Sequence, residues 1–223
     1  MQKFDTPAPI SAVLNIPAGR VQFIAADRTD TTVEVRPADA TKGRDVRAAE
    51  QTTVDYRDGV LRIEAPKAKN ELFGPSGTLE VTVQLPAGSR VEATAAAAEF
   101  RGVGRLGDVA IDGAHGKVKL DEAASARLTL LAGDALVGRL DGSAEITSGK
   151  GDLRITEAAS GTVTLRTGHG EISIGAAAGV SASLDAGTSY GRIHNSLRNG
   201  EGAAAQLEIR ATTGYGDITA RSL

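Results

Sequence analysis

Three carboxylates, Asp134, Asp152 and Glu171, directly follow the glycines at 133, 151 and 170. Three ring-bearing residues, His169, Tyr190 and Tyr215, directly precede those at 170, 191 and 216. If the segments that carry them stack in register, each set becomes a ladder with a rise of about 4.8 Å per step. Acids at that spacing repel one another unless a cation or water relieves them, and their oxygens suit a hard cation such as Ca²⁺. The plainer reading is a solvated face balanced by Lys117 and Arg192, which flank the run. The calcium-roll pattern G-G-x-G-x-D is not met, because here the acid follows the glycine directly. The rings offer a different chemistry, stacking on a sugar or on an apolar side chain of a protein partner. Their plainer role is to shield the corner glycines from solvent.

Two catalytic-looking motifs fail on context. Gly102-Val103-Gly104-Arg105-Leu106-Gly107 fits the dinucleotide fingerprint G-x-G-x-x-G, yet that site needs a helix to start at the glycines, and Asp108 to Ile111 continues as a strand. Gly187-Thr188-Ser189-Tyr190-Gly191 fits the nucleophile elbow G-x-S-x-G, but that elbow joins a strand to a helix, and Gly191 marks a strand-to-strand corner. No catalytic residue, no cofactor and no enzymatic activity are expected.

Positioning such ladders requires a repeat, and one is visible. Glycines 116, 133, 151, 170, 191 and 216 open successive units at intervals that lengthen from 17 to 25 residues. Within the units, Val118 and Leu120, Leu153 and Ile155, Val163 and Leu165, Ile172 and Ile174, and Leu207 and Ile209 alternate with other residues, which is strand periodicity. A strand of four to seven residues cannot bury a face alone, whereas coils stacked on one another bury a continuous column. The expected fold is all-β, a single-chain parallel β-solenoid over 91–223, with an antiparallel β-sandwich as the alternative.

Residues 1–90 are also strand-rich but lack the marker, and read as an irregular cap that blunts one end of the stack, continuous with it as one unit. Strands are expected over 10–16, 20–25, 31–36, 52–56, 60–64 and 78–85. The two Pro-Ala-Gly triplets, 17–19 and 86–88, are expected as tight turns. Loops are expected over 38–51, with a helical turn around 45–50, and over 66–77.

The composition narrows the rest. The 223 residues carry 41% hydrophobic but only 3% aromatic side chains, so the core is thin and lined by Val, Ile, Leu and Ala. A net charge of -3 with acids and bases interleaved leaves no nucleic-acid footprint. No run approaches the roughly 20 apolar residues that span a bilayer, so membrane insertion is not expected. The absence of cysteine and of a signal-peptide pattern leads to a cytoplasmic expectation, or a secreted or surface location if a leader has been removed.

The opening QKFDTPAPISAVLNIPAGRVQFIAADRTDTTVEVRPAD, the middle LFGPSGTLEVTVQLPAGSRVEA and the endings TSYGRIHNSL and TTGYGDITARS resemble the bacterial putative-adhesin family of β-strand-repeat proteins, a domain of unknown function common in actinobacteria. The resemblance spans nearly the whole chain and implies a repeat-built interaction domain; it brings no catalytic or ligand residues with it. The function expected is a non-catalytic, adhesin-like binding or interaction module of unknown ligand, its partner another protein or a second copy of the chain. One alternative is a self-assembling scaffold whose last coil, Gly216 to Leu223, offers an unpaired edge. Another is a carbohydrate-active β-helix enzyme, for which Asn195 to Gln206 is the only sizeable excursion within the repeats.

Overall fold

Alternation of small apolar with polar residues gives strands with one buried face, as in Leu207–Tyr215, where Leu207, Ile209 and Ala211 point inward and Glu208, Arg210 and Thr212 outward. The computed structural model describes residues 1–66, 77–199 and 205–223. The 66–77 loop and the 195–206 excursion therefore lie partly outside the described residues. Those described form seventeen strands and one helix in a single hydrogen-bonded sheet system.

From β7 (Arg90–His115) onward, each coil contributes one strand to each of two parallel sheets. One sheet runs β7, β8 (Val118–Ala132), β9 (Ala135–Leu140), β11 (Leu153–Ala158), β13 (Ile172–Ala176), β17 (Ile218–Ser222) and β15 (Ile193–Ser196). The other runs β7, β8, β10 (Ala144–Lys150), β12 (Gly161–His169), β16 (Leu207–Tyr215) and β14 (Ala182–Tyr190). Parallel pairing throughout this region excludes the antiparallel sandwich. Equivalent residues stack as apolar columns: Phe100, Val118, Ala135, Leu153, Ile172, Ile218 and Ile193 on one side, and Ile111, Leu128, Ile146, Leu165, Ala211 and Ala186 on the other.

The last two coils do not follow chain order. The chain lays down β14 and β15 first, then returns, and β16 and β17 enter between them and the coil of β12 and β13. The expectation that Gly216 to Leu223 forms a free edge is therefore corrected: β17 is paired on both sides, and among the described residues the edge belongs to β14 and β15. Burial explains the order. Leu207, Ile209, Ala211, Ile218 and Ala220 are all at most 1% exposed. The competing coil places Asn195 in register with Ala220, Ile174, Ile155 and Val137, and an amide there is tolerable only at the wet end of the stack.

Toward the N-terminus the stack continues. β2 (Ser11–Ala26) pairs in parallel with β7 over Ser11 to Ile24, and on its other side with β5 (Val60–Glu64) and β6 (Leu79–Pro86). Residues 1–90 and 91–223 thus share one sheet system. Antiparallel strands end it: β3 (Asp30–Pro37) on β6, β1 (Gln2–Asp5) on β3, and β4 (Thr53–Arg57) on β5. The first Pro-Ala-Gly is not a turn. It lies inside β2, where the chain rounds a corner without losing its partners, whereas the second does end β6, and Gly88 has φ +79°. The helical turn proves to be a nine-residue helix, α1 (Gly43–Gln51). It buries Ala48, and buried Asp45 accepts the Thr78 N–H at 3.0 Å.

Candidate functional site

The most regular feature outside the core is the corner that joins the two sheets. Its glycines line up in the spatial order 116, 133, 151, 170, 216, 191. A Cβ added to Gly133, Gly151, Gly170, Gly216 or Gly191 would lie 1.6 to 2.1 Å from the carbonyl oxygen of the glycine before it in that order. Coil-to-coil contact at this corner is backbone on backbone, and only glycine permits it. Residues on either side of each glycine are consequently held in two straight rows.

The row before the glycines reads Lys150, His169, Tyr215, Tyr190. The sequence reading brought these rings to one edge but placed Tyr190 in the middle. The structure puts Tyr215 there, because β16 lies between β12 and β14. The His169 and Tyr215 rings are 4.8 Å apart and 5° from parallel; Tyr215 and Tyr190 are 4.7 Å apart and 4° from parallel. These separations equal the strand spacing, so the backbone sets the stack. The rings remain exposed, Tyr215 by 51% and Tyr190 by 67%. Interior ring faces are occupied by one another, leaving ring edges, the phenol hydroxyls and one face of Tyr190 toward solvent.

The row after the glycines reads Lys117, Asp134, Asp152, Glu171, Asp217, Arg192. The order follows from backbone bonds of 2.9 Å that link Val118 N–H to the Asp134 carbonyl, Ala135 to Asp152, Leu153 to Glu171, Ile172 to Asp217 and Ile218 to Arg192. Four acids therefore run consecutively. Asp217, expected beyond Arg192, joins the other three. Asp134 Oδ1 accepts the Asp152 N–H at 3.1 Å, Asp152 Oδ1 accepts that of Glu171 at 2.8 Å, and Asp217 Oδ1 accepts that of Arg192 at 2.8 Å. Lys117 Nζ lies 3.4 Å from Asp134 Oδ2. The four carboxylates are strung along a line, and those of Asp134, Asp152 and Asp217 fasten the next coil's backbone. Among the described residues no three His, Asp or Glu groups converge on a metal-sized site.

A third row, inside the corner, was missed. Ser148, Thr167, Thr213 and Thr188 donate their hydroxyls to the carbonyls of Gly133, Gly151, Gly170 and Gly216 at 2.9 to 3.0 Å. The signal was available as a Ser or Thr three residues before each of glycines 151, 170, 191 and 216. The two catalytic-looking motifs fall where the context predicted. Gly102 to Gly107 lie within β7 at a register shift, where a Cβ on Gly104 would sit 2.1 Å from the Ala25 carbonyl oxygen, and Ser189 is an exposed residue of β14.

The toastrack family, DUF4097, matches residues 11–221. The chain belongs to this family. Solved structures similar to this toastrack protein include a "putative cell adhesion protein" from Clostridium sporogenes (12% identity, TM-score 0.41, covering 100% of this chain and 98% of that one). A "putative adhesin" from Bacteroides fragilis is 11% identical (TM-score 0.46, 98% and 95% covered). Another from Parabacteroides distasonis is 14% identical (TM-score 0.47, 98% and 95% covered). No curated protein matches the chain. The family and the mainly parallel coiled fold agree with the resemblance read from the sequence.

Proposed function

We propose that this toastrack protein is a non-catalytic, adhesin-like binding module that engages a protein partner along the glycine corner. The observation that supports it is the exposed stack of His169, Tyr215 and Tyr190 beside the parallel run of Asp152, Glu171 and Asp217. A pyranose needs a free ring face, and the stack leaves one on Tyr190 while its interior faces are taken. What the ridge offers instead is a line of ring edges, hydroxyls and carboxylates repeating at strand spacing. That pattern suits basic and aromatic-compatible side chains on an extended protein segment.

The test is a photo-crosslinking residue placed at position 169 in the full chain, used to capture partners from the native host. Capture that falls at least about tenfold with Tyr215→Ser and with Glu171→Lys, at unchanged melting temperature, agrees with the reading. Capture indifferent to both substitutions, or lost only along with the fold, overturns it.

A further inference from the structure

On the outer face of the sheet that runs through β7, β8, β9, β11 and β13, a row that starts on β2 reads Gln22, Arg101, Lys119, Leu136, Arg154, Ser173 and holds no carboxylate. Arg101 and Lys119 are direct cross-strand neighbours in it, and like charges so placed repel. They help to line a hollow of about 360 Å³ whose walls carry four cations, Arg20, Arg101, Lys117 and Lys119, against a single acid, Glu99. The chain as a whole has a net charge of -3, so the local sign is reversed. We propose that this hollow binds a phosphate-type oxyanion, held chiefly by Arg101 and Lys119.

The ion pairs already made leave part of this charge unanswered. Arg20 lies 3.5 Å from Glu80 and from Glu99, and Lys117 lies 3.4 Å from Asp134; these pairs are exposed and weak. Arg101 Nη2 lies 2.8 Å from Asp121 Oδ1, but its Nη1 is buried and hydrogen-bonds to nothing among the described residues. A buried donor without an acceptor is costly, and a bound oxyanion supplies one. The Arg101 side chain as a whole is 35% exposed, so its guanidinium is within reach of an anion in the hollow it lines. Lys119 is exposed and has no ion-pair partner among the described residues. A carboxylate brings one charge, which Arg101 already takes from Asp121. A phosphate group brings about -1.5 to -2 and three acceptor oxygens, enough for the guanidinium fork and the Lys119 ammonium together. The walls expose mostly carbon, which suits a phosphate carried on an organic body as well as the free ion.

Two arms on the full chain at low ionic strength read the outcome: calorimetric titration with inorganic phosphate, and co-sedimentation with phosphatidylcholine vesicles that contain or lack phosphatidic acid. Saturable phosphate binding with a Kd of about 1 mM or tighter, or retention on the acidic vesicles alone, is the expected result. Binding in the first arm only assigns a soluble phosphate, and binding in the second only a lipid head group. Lys119→Gln and Arg101→Gln each weaken whichever binding is seen by about tenfold. Arg154→Gln, in the same row but outside the hollow, leaves it unchanged. Lys119 is exposed, so Lys119→Gln keeps the fold and decides the matter even if Arg101→Gln, which strands Asp121, lowers the melting temperature. No saturable binding in either arm overturns the proposal. So does binding that Lys119→Gln leaves intact, or that Arg154→Gln weakens equally. None of these substitutions touches His169, Tyr215 or Glu171, so failure here is distinguishable from failure of partner binding at the glycine corner.

Discussion

The Thr213 hydroxyl donates to the Gly170 carbonyl at 3.0 Å, across 43 positions of chain, although Gly191 intervenes in sequence. Thr188 in turn donates to Gly216 at 3.0 Å. The two bonds together record the entry of the C-terminal coil between its predecessors. They also satisfy corner carbonyls that turn toward the interior.

Thr213 is 1% exposed, so Thr213→Val leaves the Gly170 carbonyl without that donor in a dry corner. The expected loss is about 1–2 kcal/mol in denaturant unfolding. Thr188→Val, at the partly exposed end coil, costs less. Equal losses at both positions would contradict the assigned order of the coils.

The glycine corner predicts a sharp contrast among glycines. A Cβ at Gly170 would lie 2.1 Å from the Gly151 carbonyl oxygen, and its φ is +151°, so Gly170→Ala is expected to cost about 3 kcal/mol or more. Gly187 lies in β14, and nothing stands within 4 Å of its added Cβ. Gly187→Ala is expected to change stability by no more than about 0.5 kcal/mol. Thermal or urea unfolding of the pair settles the comparison.

Protection from hydrogen exchange should follow spatial order instead of chain order. Amides of β16 and β17, paired on both flanks, are expected to exchange more slowly than those of β14 and β15, although they lie nearer the C-terminus. Removal of residues 207–223 extracts two interior strands and is expected to abolish cooperative unfolding. A truncated chain that melts normally would sink this account.

Acid should loosen the opposite end first. A hydrogen bond from Arg28, and then one from Lys3, hold the Asp30 carboxyl at about 2 against an ordinary 3.8. A depressed folded value means that the stabilisation is complete above about pH 4 and fades as the pH falls toward 2. Because Lys3 belongs to β1, exchange at β1 amides is expected to accelerate over that window. Asp30→Asn should make β1 exchange fast at every pH and remove the dependence.

The sequence by itself determined the coil, the corner and the rows. Alternating residues such as Leu153 and Ile155 specify which faces are buried, and glycines 133, 151 and 170 specify where backbone must meet backbone. Rows before and after those glycines follow from strand spacing alone, which is why His169, Tyr190 and Tyr215 could be placed on one edge and the acids on another. Tertiary structure alone decided the order of the last two coils. Either coil fits the same parallel register beside β12, so no local propensity separates them. The choice rests on burial, since Ala220 loses less than Asn195, its register partner, when water is excluded from both sides. That contest moved Tyr215 to the centre of the stack and Asp217 into the acid run, and it left Tyr190 and Arg192 on the last coil among the described residues.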